Sequence, residues 1–257
     1  MSFQHLKLDV RDHVATLALD RPPVNALGRA IRLEITQAFD MLSDRADVRA
    51  IVFTGSGRMF CAGADIKERA VLAGDPGEHA GLNRIVREMF YSIMECSKPV
   101  IAAVNGPALG AGMALVLCCD ILFASQEAFF SMPEVDVGLA GGVKFLQRHF
   151  SPSKSRRLLM TGERLPASEL YRLGVIEECT SPDALMPAAQ KLAQEIASKS
   201  PLAIRAIKDS FIGVENLSLR DGYRVEQNMT VALSNTEDAK EAKRAFVEKR
   251  KPVFTGR

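Results

Sequence analysis

The first half of the chain alternates short apolar runs with amphipathic segments. A strand is predicted where apolar residues alternate or run together, and a helix where they recur every three or four positions. The predicted strands are 3–10, 14–19, 50–54, 100–104, 121–124 and 128–131. The predicted helices are 31–42 with Asn25 as its N-cap, 78–96, a buried helix that opens at 110–112, and 142–149.

The second half changes character at about Ser153. Helices are predicted at 153–161, 167–172, 183–198, 201–213, 217–233 and 236–248, with one strand at 175–177. Strand, strand and helix recur in the first half, which indicates an α/β protein whose helices cover short stacked sheets. No Gly/Ser linker precedes the helical part, so we expect it to pack on the core or on a neighbouring subunit.

Composition narrows the class of protein further. The 257 residues are 47% hydrophobic with a net charge of +2, as in an ordinary globular protein with no special electrostatic partner. The five cysteines have no metal-like spacing and indicate reduced core thiols in a cytoplasmic protein. The N-terminus resembles neither a signal nor a transit peptide, and no apolar stretch is long enough to predict a membrane span.

Small residues cluster in three turns, at 61–66, 106–112 and 138–142, and Glu134 comes just before the third. Turns of this kind leave backbone N–H groups free to stabilise an enolate oxygen, while a carboxylate moves the α-proton of a carbonyl compound. The alternative is tight packing of helices on strands with no ligand. A further Gly/Pro-rich segment, 74–77, is predicted to be a loop.

Four stretches carry a resemblance to a known family. They are GRMFCAGADIKE at 57–68, the stretch 98–121, MPEVDVGLAGG at 132–142 and the tail AFVEKRKPVF at 245–254. With them the chain resembles the enoyl-CoA hydratase/isomerase (crotonase) family from about Val14 to its C-terminus. The resemblance implies a spiral of β-β-α units over residues 1–195 and a C-terminal helical oligomerisation region over 196–257. It also implies a trimer or a dimer of trimers.

The resemblance implies an acyl-CoA thioester as substrate and no cofactor, because coenzyme A is part of the substrate. The N–H groups of Ala64 and Ala111 would form the oxyanion hole for the thioester oxygen, and Glu134 would be the catalytic acid–base group. Membrane and nucleic-acid partners are not implied. The residues expected to bind CoA are Ala62, Asp65, Ile66, Lys67, Phe246 and Lys249.

Ala114 departs from the pattern of the family's hydratases. Those enzymes have a second glutamate at this place, and two carboxylates divide the work of activating water and protonating the α-carbon. A single carboxylate is enough to move a proton from C2 to C4. The pair of Glu134 and Ala114 therefore favours a Δ3,Δ2-enoyl-CoA isomerase. The family's dienoyl-CoA isomerases have further acids at the places of Ala114 and Gly142, so that activity is not expected.

Several alternatives stay open. Asp136 would share Glu134's side on an extended strand and could be a second acid for hydration, or it could be a carboxylate that stabilises a turn. The chain could be a non-catalytic acyl-CoA-binding member of the family, or a decarboxylase, hydrolase or dehalogenase. The basic run 243–251 is a solvated helix face, a contact to CoA phosphates or a weak RNA-binding site.

Four other residues have simpler interpretations. Asp65 is expected to cap a helix, and Asp120 to close the turn between a helix and a strand. Cys118 lies one turn after Ala114 and is expected to be an inert buried thiol. His79 falls in the loop region that covers the acyl pocket of relatives, where it could touch the substrate.

Overall fold

The computed structural model describes residues 3–71 and 76–257, so residues 74 and 75 of the predicted loop at 74–77 lie outside it, and Pro76 and Gly77 begin a helix instead. In chain order the strands are β1 (Leu6–Arg11), β2 (Val14–Leu19), β3 (Ala50–Gly55), β4 (Val100–Val104), β5 (Ala108–Leu109), β6 (Ile121–Ser125), β7 (Phe129–Ser131), β8 (Leu165–Pro166) and β9 (Glu178–Thr180). The α-helices are α1 (Arg29–Asp44), α2 (Ile66–Val71), α3 (Pro76–Met94), α4 (Ala111–Leu117), α5 (Val143–His149), α6 (Pro152–Thr161), α7 (Ala167–Arg172), α8 (Pro182–Ala197), α9 (Pro201–Val214), α10 (Leu219–Ser234) and α11 (Glu237–Val247).

The strands form two sheets. The larger has the order β1-β2-β3-β4-β6-β9, with β1 antiparallel to β2 and the other neighbours parallel. The smaller contains β5, β7 and β8. Because the carboxyl ends of parallel strands meet at one edge, the segments that follow β3 and β4 come together there.

Both faces of the larger sheet are buried. On one face Phe53 of β3 packs edge-on against Phe39 of α1, with ring centroids 5.4 Å apart. On the other face Val52 belongs to a core cluster that includes Leu185 and Ala189 of α8. Burial on both sides explains why β3 and β4 are continuous apolar runs rather than alternating ones.

The last three helices are built differently. Side-chain hydroxyls cap them: Ser200, Ser218 and Thr236 each accept a hydrogen bond from an amide three residues on. Their buried residues are few and mostly polar, and include Lys208 and Asp238. Whether the chain divides at residue 195 stays a prediction. Within the described part of the chain, no helix combines the length and apolar character needed to cross a bilayer.

Two local predictions are wrong. Asn25 does not cap α1, which begins after Gly28. Asn25 instead has a left-handed backbone, and its Nδ2 donates to the carbonyls of Ser56, Met59 and Phe60. The strand predicted at 175–177 is found at 178–180. His79 lies in helix α3, within the helix predicted at 78–96. The two-residue strands β5 and β8 were not predicted, because so short a run carries no periodicity.

Candidate active site

Two loops interlock at the carboxyl ends of β3 and β4. The Leu109 amide donates to the Cys61 carbonyl at 2.9 Å, and the Cys61 amide donates to the Pro107 carbonyl at 3.2 Å. Gly63 has a φ of +87°, and a Cβ there would stand 2.6 Å from the carbonyl oxygen of Leu109. Only glycine allows this approach, so the small residues bring two backbones into contact.

Ala64 and Ala111, one in each loop, line a cavity of about 720 Å³. Neighbouring amides hold the loops in place: Asp65 N–H donates to Leu27 and Gly110 N–H to Ser131. Within residues 3–71 and 76–257, no acceptor takes a hydrogen bond from the amide of Ala64 or Ala111. Two available donors on the wall of a cavity can stabilise negative charge that develops on a bound oxygen.

Glu134 lies beside this pair of amides. It belongs to a 3₁₀-helix, Pro133–Val137, that ends at Gly138 in a left-handed conformation. A Cβ on Gly110 would come within 2.7 Å of Glu134 Oε1, so the carboxylate lies directly against the backbone that precedes Ala111. The Glu134 carboxylate therefore contacts the residue directly before the Ala111 N–H donor. A proton acceptor this close to an N–H donor is suited to moving a proton on the carbon next to a carbonyl group.

Ala114 lines the same cavity one turn into α4. The Ala114 amide donates to the Gly110 carbonyl at 3.0 Å. Ala114 therefore lies one helical turn after Gly110, the residue that Glu134 contacts. Ala114 is buried, and its methyl group can neither hold water nor transfer a proton. The structure thus brings the predicted position of the missing acid to the cavity wall.

The expectation that Asp136 shares Glu134's side on an extended strand is wrong, because the segment is a 3₁₀-helix in which residues two apart point in different directions. Asp136 Oδ2 lies 3.2 Å from the place that a Cβ on Gly162 would occupy. Asp136 is exposed and still contributes to the cavity wall.

The residues expected to bind CoA fall into two groups. Ala62 and Ile66 line the cavity, and Ile66 is exposed at its rim. Asp65 caps α2 as predicted, since its Oδ1 accepts from the Lys67 amide, while its Oδ2 pairs with Arg21 at 2.7 Å. That hydrogen bond to Arg21 lowers the pKa of the Asp65 carboxyl. The Lys67 side chain is exposed.

Phe246 and Lys249 are not on the cavity wall formed by the described residues of this chain. Phe246 is exposed on α11. The segment after α11 runs to the amino end of β3, where Arg49 donates to the Phe254 carbonyl at 2.9 Å. The cavity lies at the opposite, carboxyl end of the same strand, so one chain does not bring these two groups of residues together.

Three polar residues on the cavity wall were missed or only weakly indicated: Arg32 of α1, and His79 and Asn83 of α3. Arg32 lies three residues before Ile35 and seven before Phe39, on the buried stripe of its helix. A charged residue on an apolar stripe was the signal that could have identified it.

The cysteines take no part in this chemistry. All five are free thiols, and burial raises the pKa of Cys61 to about 12. Burial also raises the pKa of Cys118, which is the inert buried thiol that was predicted. Asp120 is structural as expected, because its Oδ2 accepts from the Val100 amide at 2.7 Å. Over residues 3–71 and 76–257, no three His, Cys, Asp or Glu side chains are grouped to hold a metal ion.

Comparisons with known proteins cover nearly the whole chain. A family model described as enoyl-CoA hydratase/isomerase matches residues 9–257. Carnitinyl-CoA dehydratase from Proteus mirabilis is 36% identical over 99% of each chain. A probable mitochondrial enoyl-CoA hydratase from Dictyostelium discoideum is 36% identical over 95% of this chain and 88% of its own. A crystal structure of an enoyl-CoA hydratase from Bacillus anthracis has a TM-score of 0.94 at 30% identity, over 99% of this chain and 100% of its own.

Proposed function

We propose that this chain, which belongs to the enoyl-CoA hydratase/isomerase family, is a Δ3,Δ2-enoyl-CoA isomerase with Glu134 as its single acid–base group. The family and its fold were both predicted from motifs, and the comparisons confirm both. One observation carries the narrower proposal. The Glu134 carboxylate lies against the Gly110 backbone, whereas Ala114 on the next turn adds only a methyl group to the same cavity.

The proposed mechanism uses the three groups around Gly110. The thioester oxygen accepts hydrogen bonds from the Ala64 and Ala111 amides, Glu134 removes a proton from C2, and the resulting dienolate is reprotonated at C4 by the same carboxyl group. Each N–H donor contributes roughly 3–4 kcal/mol to transition-state stabilisation in comparable sites. Phe90 and Phe145, whose ring centroids are 4.9 Å apart, belong to the apolar wall that would keep water from the dienolate.

We further propose that the 62–67 segment contacts the adenine end of CoA and that Phe246 and Lys249 contact it from a neighbouring subunit. The support is the exposure of large apolar side chains on the last helices, for example 91% for Leu219 and 86% for Phe246. Large apolar side chains exposed on the same group of helices are typical of a surface that contacts another protein chain, which supports a homotrimer or a dimer of trimers. No cofactor is required by this chemistry.

Hydration or dehydration is the second candidate. The relatives named above are a dehydratase and a hydratase, and Asp136 reaches the same cavity as Glu134. In that case Asp136 would orient the water that adds to C3. A non-catalytic acyl-CoA-binding protein is the third candidate, favoured only by Ala114.

The test is a product analysis with matched 2-enoyl- and 3-enoyl-CoA substrates, separated by chromatography. An isomerase converts the 3-enoyl thioester to the 2-enoyl thioester and yields little 3-hydroxyacyl-CoA. Glu134→Gln should lower kcat about 10²- to 10⁴-fold, because the amide cannot accept the proton. Asp136→Asn should leave isomerisation nearly unchanged.

The alternatives give different results. A hydratase forms 3-hydroxyacyl-CoA from the 2-enoyl substrate and loses that activity in Asp136→Asn. A non-catalytic binder retains a saturated acyl-CoA without exchanging its α-protons with deuterated solvent. Full isomerase activity in Glu134→Gln would refute the proposed mechanism.

A further inference from the structure

The backbone around Ala64 is paired on one edge with the segment 24–27, which follows β2. The Leu27 amide donates to the Gly63 carbonyl at 2.8 Å, and the Asp65 amide donates to the Leu27 carbonyl at 3.1 Å. In such a parallel bridge, the residue between the two bonded neighbours turns its own amide to the other edge. The Ala64 N–H therefore points away from the 24–27 segment, and the pairing with Leu27 sets its direction.

Arg21 joins the two sides of this bridge. Nη1 of its guanidinium donates to the Ala26 carbonyl at 2.7 Å, and Nη2 donates to Asp65 Oδ2 at 2.7 Å. A guanidinium is planar and carries its donors in a rigid fork, so it holds the two acceptors at a fixed separation. One side chain thus ties the 24–27 segment to the residue that follows Ala64.

Asp65 is held at three points. Besides the bonds to Leu27 and Arg21, its Oδ1 accepts from the Lys67 amide at the beginning of α2, at 3.1 Å. The Arg21 side chain is 32% exposed and that of Asp65 is 16% exposed. A partly exposed ion pair contributes little to the free energy of unfolding, so we expect this pair to affect the local geometry more than the stability.

We propose that Arg21 is a positioning residue for the oxyanion hole, because it joins the 24–27 segment to Asp65 and so holds the Ala64 N–H toward the thioester oxygen. The inference rests on the proposed function, since it takes Ala64 to be one of the two donors. Arg21 is not on the cavity wall formed by the described residues, so it acts through Ala64 and not on the substrate. A hydrogen bond weakens steeply as its angle departs from linear, so a small rotation of the Ala64 peptide is enough to weaken the polarisation.

The experiment measures how strongly the protein polarises the thioester carbonyl of bound hexanoyl-CoA that carries carbon-13 at C1. This saturated thioester cannot be isomerised, so the result does not depend on turnover. Isotope-edited infrared difference spectroscopy at saturating ligand gives the carbonyl stretching frequency, which hydrogen bonds to the oxygen lower. The wild-type protein should lower the frequency relative to the free thioester, and Arg21→Met should reverse part of that shift.

Kinetics give a second measurement on Arg21→Met. Its kcat for isomerisation of a 3-enoyl-CoA should fall about 10- to 100-fold, because one donor is misdirected, whereas its affinity for hexanoyl-CoA should change less than about threefold. Arg21→Lys should restore part of the frequency shift, because an ammonium can pair with Asp65 but lacks the rigid fork. Arg172→Met removes a surface pair with Glu169 of the same 2.7 Å length, so it is the matched control and should keep the wild-type frequency.

Asp65→Asn tests the same contact from the other side and decides the question if Arg21→Met does not fold. It removes the charge that pairs with Arg21 and keeps an oxygen for the Lys67 amide, and it should also reverse part of the shift. A wild-type frequency in folded Arg21→Met, or in Asp65→Asn, overturns this inference. If the wild-type protein binds no hexanoyl-CoA, or binds it without lowering the frequency, the proposed function is refuted instead.

Discussion

The core and the last three helices differ in which residues are buried and which are exposed. The core buries apolar residues, whereas the last three helices bury mostly polar residues and expose apolar ones. In the core, Phe39, Phe53 and Phe60 are fully buried. In α9 to α11, Lys208 is 5% exposed whereas Phe211 is 73% exposed. The core is therefore stabilised by its own apolar packing, while the C-terminal helices are attached by polar contacts and leave apolar surface uncovered.

The two ends of the parallel strands have different roles. The apolar core fixes the loops at the carboxyl ends of β3 and β4, where Glu134 and the two amides meet. At the amino ends, Lys208 Nζ donates to Asp120 Oδ2 at 2.8 Å and to the Lys98 carbonyl at 3.0 Å. In the proposed function the carboxyl ends of the strands carry the chemistry, while the polar contacts at the amino ends attach the surface that is proposed to contact a second copy of the chain.

The largest effect on stability is expected at Lys208. Lys208→Met removes the cation that pairs with the Asp120 carboxylate, which keeps the hydrogen bond from the Val100 amide, and it removes the donor to the Lys98 carbonyl. We expect a loss of about 3 kcal/mol in the free energy of unfolding, measured by urea denaturation, as is typical for breaking a buried ion pair. Lys199→Met, which removes a surface pair with Glu195, should cost less than about 1 kcal/mol. Equal losses in both variants would contradict the contrast between the two regions.

The next effect is on catalysis at the carboxyl ends of the strands. Gly110→Ala puts a Cβ only 2.7 Å from Glu134 Oε1 and strains a backbone with a φ of +52°. A displaced carboxylate should lower kcat for isomerisation about 100-fold, with the affinity for a saturated acyl-CoA less affected. Gly81→Ala, whose Cβ would enter open space on α3, is the control and should retain activity. Normal turnover in Gly110→Ala would contradict a catalytic role for Glu134.

Sequence periodicity predicted most of the fold, because strands buried on both faces and capped amphipathic helices carry strong local signals. The bounds of β2, β4 and α7 agree with their predictions residue for residue. Asn25 could not be assigned in this way, because its role depends on carbonyls more than 30 residues away. The motif identified Glu134 and Ala114, but whether Asp136 shared Glu134's side depended on the local helix type.

A third effect concerns assembly. If the apolar surface of the last helices contacts a second copy, a charge there should dissociate the oligomer. We expect Leu219→Asp to lower the molar mass measured by light scattering toward that of the 28.1 kDa monomer. Burying a side chain of this size contributes about 2 kcal/mol, which the charge reverses. Leu33→Asp, on the exposed face of α1, should leave the mass unchanged. A monomeric wild-type protein would refute the proposed assembly.

The smallest effect is expected in the C-terminal tail, where Glu241 accepts hydrogen bonds from Arg250, the Val253 amide and Arg244. These contacts, that of Arg250 first, hold the pKa of Glu241 well below its usual range. A carboxyl whose pKa is lowered on folding stabilises the tail above its unfolded pKa of about 4.3, and loses that contribution as the pH falls toward its folded value.

Glu241→Gln should therefore raise hydrogen–deuterium exchange of the 250–257 peptide several-fold at pH 7, and the difference from wild type should shrink below about pH 4. Glu237→Gln, which removes an exposed pair with Lys240, is the matched control and should change exchange little at either pH. If Glu241→Gln exchanges like the wild type at pH 7, the tail is held by Asp238 instead. Asp238 accepts from the Thr255 and Gly256 amides. Faster exchange of the 250–257 peptide only in Asp238→Asn would then show that the tail is attached through Asp238, in the first turn of α11, and not through Glu241.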